Sequence, residues 1–125
     1  MARILVVDDE SLARFSLREI LEDAGHSVLE AANGVEAQAT LDDHAVDLII
    51  TDLLMPEKEG IELTREVVAR TPAMPVIAIS GGGRAHRTGF LDVAEHFGAR
   101  ATLRKPFTPE EVRAEVARCL PASSS

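Results

Sequence analysis

Four short apolar runs, each closed by a polar side chain, limit what this chain can become. Ile4-Leu5-Val6-Val7 leads into Asp8 and Asp9, Leu48-Ile49-Ile50-Thr51 into Asp52, Val76-Ile77-Ala78-Ile79 into Ser80, and Ala101-Thr102-Leu103 into Arg104-Lys105-Pro106. Unbroken runs rich in isoleucine, leucine and valine read as strands covered on both faces, so a charge is tolerated only where the strand leaves the core. If the strands are parallel, their polar ends converge on one edge.

Helical periodicity fills the intervals. Ala13, Leu17, Ile20, Leu21 and Ala24 repeat at helical spacing, with Gly25 as a stop where a left-handed residue is wanted. Val28 and Leu29 lie in a short strand ending near Ala31, and Asn33 with Glu36 three residues on predicts a capped helix to about Leu41. Gly60 opens a third helix carrying Ile61, Leu63, Val67 and Val68, which stops before Pro72; Pro75 introduces the next strand. After the loop of Gly81, Gly82 and Gly83, a fourth helix covers roughly residues 86–96 and ends at Gly98. Thr108-Pro109-Glu110-Glu111 starts the last helix with a capping hydroxyl, a proline at the first helical position and an acid at the third. Its buried stripe is Val112, Val116, Cys119 and Leu120.

Five strands alternating with five helices predict an α/β fold: a doubly wound, five-stranded parallel sheet with right-handed crossovers and helices on both faces. Ligands of such sheets bind beyond the carboxyl ends of the strands. Residues 1–120 are expected to form one domain and residues 121–125 a frayed tail. The first strand begins at once, leaving no room for a signal peptide, and no stretch is apolar enough for a bilayer, so the cytoplasm is the expected compartment. The single cysteine, Cys119, fits a buried, inert thiol. A net charge of −8 argues against direct contact with nucleic acid and favours protein partners.

Asp8, Asp9, Glu10, Asp52, Glu57 and Glu59 gather around two strand ends. Two carboxylates about 4 Å apart repel by roughly 4 kcal/mol at an effective dielectric near 20, so a shared pocket calls for a cation or a lysine. An all-oxygen donor set suits magnesium, with manganese as its substitute, far better than zinc. A carboxylate in such a site can act as a nucleophile toward phosphorus while a metal and a lysine neutralise the phosphoryl oxygens. Asp52 stands alone on its strand end and is the better nucleophile candidate, with Asp8 and Asp9 as the metal pair. Lys105 fits the lysine role and Ser80 offers a hydroxyl. His86, His96 and the three glycines read as solvated side chains and a flexible loop.

Val7-Asp8-Asp9-Glu10, Asp52-Leu53-Leu54-Met55-Pro56 with Gly60, Ile79-Ser80-Gly81 and Lys105-Pro106-Phe107, in this order, closely resemble a bacterial two-component response-regulator receiver domain, from Arg3 to about Leu120. The resemblance implies the flavodoxin-like strand order 2-1-3-4-5. It implies that Asp52 accepts a phosphoryl group from a phosphohistidine on a sensor histidine kinase or phosphotransfer protein. Asp9 and Asp52 would ligate Mg²⁺ directly, Asp8 through water, and the Leu54 backbone carbonyl would be a further ligand. Lys105 would bind the phosphoryl group, and Ser80 would swing toward it and reset the surface of the fourth helix, fifth strand and fifth helix for an unknown downstream protein. Phe15 and Phe107 lie near the face that docks a kinase in this family. A monomer, or a weak phosphorylation-dependent dimer, is the expected state.

Two positions depart from the family pattern. Thr102 occupies the fifth-strand position that usually carries Tyr or Phe, which weakens the expectation of an aromatic switch coupled to Ser80. Leu54, two residues after the acceptor, has no polar group to orient an attacking water, so a long-lived phosphoryl-aspartate is expected. Of the competing functions, a Mg²⁺-dependent phosphatase would carry Asp-x-Asp after the first strand, and Val7-Asp8-Asp9 does not. A module that merely keeps the fold would have no need of the complete acid, hydroxyl and lysine set.

Overall fold

Each apolar run forms a strand in the computed structural model, which describes residues 2–52, 66–67, 69–70, 74–80, 99–104 and 106–120, Ser80 in its backbone only. The strands are β1 (Arg3–Val7), β2 (Ser27–Ala31), β3 (Leu48–Asp52), β4 (Val76–Ser80) and β5 (Ala101–Arg104). All pairings are parallel, in the order β2-β1-β3-β4-β5. The sheet is the expected α/β one, with the strand order that the family resemblance implied.

Because successive strand residues face opposite ways, the unbroken runs need two covers. On one face Ile4, Val6, Leu48, Ile50, Ile77 and Ile79 pack with Leu17 and Leu21 of helix α1 (Ser11–Asp23) and with Val112, Val116 and Cys119 of the C-terminal helix (Pro109–Cys119). On the other, Leu5, Val7, Ile49 and Val76 pack with Ala37 of helix α2 (Gly34–Asp43) and with Val67. Each fully buried aliphatic side chain contributes about 1.5–3 kcal/mol, so this two-sided burial dominates the stability of the sheet.

The helix ends follow their local chemistry. Gly25 adopts φ 94°, the left-handed stop that ends α1. The Asn33 side chain accepts the Glu36 N–H at 2.9 Å, but Glu36 reaches back to the Ala32 N–H at 2.8 Å, so the reciprocal bond lands one residue before the cap. Helix α2 runs to Asp43, two residues past the expected end at Leu41. At the C-terminal helix both halves of the capping box form: Thr108 Oγ1 accepts the Glu111 N–H at 3.1 Å, and Glu111 Oε1 accepts the Thr108 N–H at 2.8 Å. Residues 66–67 and 69–70 are helical, within the span expected for a third helix. The remainder of that helix, the glycine loop and the fourth helix expected near residues 86–96 lie outside the described residues, as does the expected tail at 121–125.

Candidate functional site

Register builds the site. Val7 pairs with Thr51 across β1 and β3, so the next residues, Asp8 just past β1 and Asp52 at the end of β3, lie side by side. Asp8 is fully buried, Asp52 is 4% exposed and Asp9 is exposed. One carboxylate oxygen from each of the three can be chosen so that all lie within 4.8 Å of one another. The sequence singled out these three acids, and the fold brings them together.

The backbone holds Asp8 from several sides. Its N–H donates to the Ala31 carbonyl on β2 at 3.1 Å, its Oδ1 accepts the Glu10 N–H at 2.9 Å, and its own carbonyl accepts Arg14 Nη1 at 2.6 Å. Arg14 and its partner Glu30 carry no motif and escaped the reading of the sequence. Arg14 Nε donates to Glu30 Oε1 at 3.1 Å, Arg18 Nη1 to Glu30 Oε2 at 2.7 Å, and Arg18 Nε to Glu22 Oε2 at 3.0 Å. The Arg18 hydrogen bond is the chief reason that the Glu30 carboxyl titrates below its usual range; partial burial opposes it and Arg14 adds to it. Only the Glu22–Arg18 spacing of four residues could have hinted at this network.

Ser80 ends β4 opposite Arg104, one residue beyond the pairing of Asp52 with Ile79, so its backbone lies on the same sheet edge as Asp52. Its side chain, Lys105, Leu54, Glu57 and Glu59 lie outside what is described. Thr102 sits on β5 opposite Ala78. A groove of about 540 Å³ opens between α1 and the segment after β5, lined by Glu10, Leu12, Ala13, Ile20 and Phe107 among others. Leu12 is 74% and Phe15 57% exposed, whereas Phe107 is half-buried against the core.

Acids this close, two of them buried, repel one another unless a cation or protons intervene, and oxygen donors alone suit a hard divalent ion. The cluster therefore fits magnesium or manganese. Among the described residues no His or Cys joins it as zinc would favour. No described helix is long and apolar enough to cross a membrane. Cys119 is buried, and burial is the chief cause that raises its thiol above the ordinary value.

Residues 4–117 match the response regulator receiver domain family. The chain is similar to the virulence transcriptional regulatory protein PhoP of Salmonella typhimurium, with 36% identity over 118 residues that cover 93% of this chain and 50% of that protein. Among solved structures it resembles NtrX from Brucella abortus, at 32% identity and a TM-score of 0.90, covering 98% of this chain and 28% of that one. It also resembles a CheY-like receiver domain protein from Methanospirillum hungatei, at 28% identity and a TM-score of 0.84, covering 94% and 92%. The chain spans about half the length of the curated relatives it matches.

Proposed function

The chain belongs to the response regulator receiver family, and from that premise we propose that it is a phospho-acceptor switch whose Asp52 takes a phosphoryl group from a histidine kinase or phosphotransfer protein. Receiver domains are signalling domains of two-component systems and bind Mg²⁺ at an acidic pocket. The observation that carries the reading here is the cluster of Asp8, Asp9 and Asp52 across two adjacent strand ends.

In the proposed reaction an Asp52 carboxylate oxygen attacks the phosphorus of a phosphohistidine, an O–P bond forms, the P–N bond breaks, and the imidazole leaves with the electron pair. Asp52 is preferred to its neighbours because it stands alone at the end of its strand, whereas Asp8 and Asp9 follow β1 as an adjacent pair. Asp9, Asp52 and the Leu54 carbonyl would hold Mg²⁺, with Asp8 through water, and the ion when bound would neutralise charge on the phosphoryl oxygens. Lys105 would pair with one of those oxygens, and Ser80 would hydrogen-bond another. These assignments of Leu54, Lys105 and Ser80 rest on the family motif.

The groove lined by Leu12 and Phe107, with Leu12 and Phe15 both exposed on α1, supports docking of the kinase or phosphotransfer protein there. Output would pass through the surface of the fourth helix, fifth strand and fifth helix to a downstream protein. A receiver unit spanning residues 1–120, a cytoplasmic site of action, and a monomer or weak phosphorylation-dependent dimer complete the proposal.

Incubation with acetyl phosphate or phosphoramidate and Mg²⁺, followed by intact mass measurement, tests it. A single added phosphate that disappears in Asp52→Asn is expected. No adduct on the native chain, or an adduct that survives the substitution, overturns the reading.

A further inference from the structure

We propose that Arg14 is a positioning residue for the acidic site: braced by Glu30, its guanidinium fixes the Asp8 peptide so that the Asp8 and Asp9 carboxylates stay directed at the point they share with Asp52. The proposal rests on the reading of those three acids as a divalent-cation site.

Three elements meet in the guanidinium. Arg14 belongs to α1, its Nη1 donates to the Asp8 carbonyl just past β1, and its Nε donates to Glu30 on β2. The planar fork of arginine fixes the angle between these bonds, which a lysine ammonium on its flexible stem cannot do. Asp8 is then tethered at its N–H by Ala31, at its carbonyl by Arg14 and at Oδ1 by the Glu10 N–H, and Asp9 is the next residue along the same backbone. Arg14 Nη1 to the Asp8 carbonyl is a charge-assisted bond at 2.6 Å.

The electrostatics make the arrangement informative. A cation beside a cation site weakens binding of the metal, so an arginine here works against the site if its charge is what matters. Glu30 offsets that charge, and Arg18 in turn holds Glu30 in place. What remains is the geometric effect, that of a group holding a ligand from behind. Charge and geometry therefore predict opposite signs for the same substitution.

The test measures Mg²⁺ affinity of the full chain by calorimetric titration, with Mn²⁺ as a spectroscopic check, in the native protein, Arg14→Gln and Arg14→Lys. Positioning predicts that Arg14→Gln weakens binding by about tenfold, the lower end for groups that orient metal ligands, and that Arg14→Lys weakens it too because one ammonium cannot hold both contacts. In metal-free protein, hydrogen exchange at the Asp8 and Glu10 amides should quicken in both variants. A purely electrostatic role predicts tighter binding in Arg14→Gln and no change in Arg14→Lys; a purely structural role lowers the unfolding midpoint while the folded protein keeps its affinity. Either of those results overturns the proposal. If the native chain binds no Mg²⁺, the acidic-site reading fails beneath it and takes this proposal with it, whereas native binding with unchanged variants removes Arg14 alone.

Discussion

Neutralising Asp52 should stabilise the metal-free protein. Asp8 and Asp52 are buried with carboxylate oxygens within 4.8 Å, a repulsion of about 3.5 kcal/mol at an effective dielectric near 20. Asp9 is exposed, and its repulsion of Asp52, screened nearly as in water, adds about 1 kcal/mol. Asparagine forfeits part of the hydrogen bonding of a carboxylate, at about 1 kcal/mol per bond, so Asp52→Asn should gain about 2–4 kcal/mol in EDTA. In a domain of this size each kcal/mol is worth roughly 3–6 °C in Tm. Excess Mg²⁺ should then raise the native protein by about 2.7 kcal/mol at a hundredfold over its dissociation constant and the variant by far less, closing or reversing the gap. Thermal and urea unfolding of both proteins in EDTA and in MgCl₂ give the four numbers required. A variant less stable than native in EDTA, or an equal response of both to Mg²⁺, refutes the reasoning.

Thr108→Ala removes the hydroxyl that accepts the Glu111 N–H and leaves only the backbone half of the capping box, so it should cost about 1 kcal/mol in urea unfolding with the sheet spectrum unchanged. Burial first, and the amino terminus second, hold His26 below the ordinary imidazole range, and its Nδ1 accepts the Ala2 N–H at 3.2 Å. The unfolded chain therefore takes up the proton first, so this contribution is full above about pH 6.5 and is lost below it. A pH series of denaturation midpoints should flatten across that window in His26→Asn. Phosphoryl-aspartate on the native chain should outlast that on Leu54→Asn by a clear margin in single-turnover decay followed by mass, and an equal or faster native decay removes Leu54 as a cause of persistence.

Much of this was legible in the residues, and for identifiable reasons. Strands β1, β3 and β4 announced themselves because burial on two faces leaves no alternation to misread, and Gly25, Asn33 and Thr108 marked helix ends because capping is chemistry within a few residues. Asp8, Asp9 and Asp52 could be linked because parallel strands bring their ends to one edge. Arg14 with Glu30 could not, since that pair depends on how α1 leans over β2 and no local spacing encodes it. The shift of the Glu36 contact to Ala32 is of the same kind, decided by the path of the chain leaving β2.

β3 is flanked by β1 and β4, and all five of its residues are buried. Asp52 is thus mounted on an interior strand held on both sides and buried along its length, an anvil rather than a spring. A charge delivered there has no compliant backbone of its own strand to dissipate into, so the displacement it causes must be taken up by whatever side chains and loops face the sheet edge. Amide exchange in β1 and β3 should accordingly stay the same before and after phosphorylation, and the strand that receives the signal should be the one that records none of it.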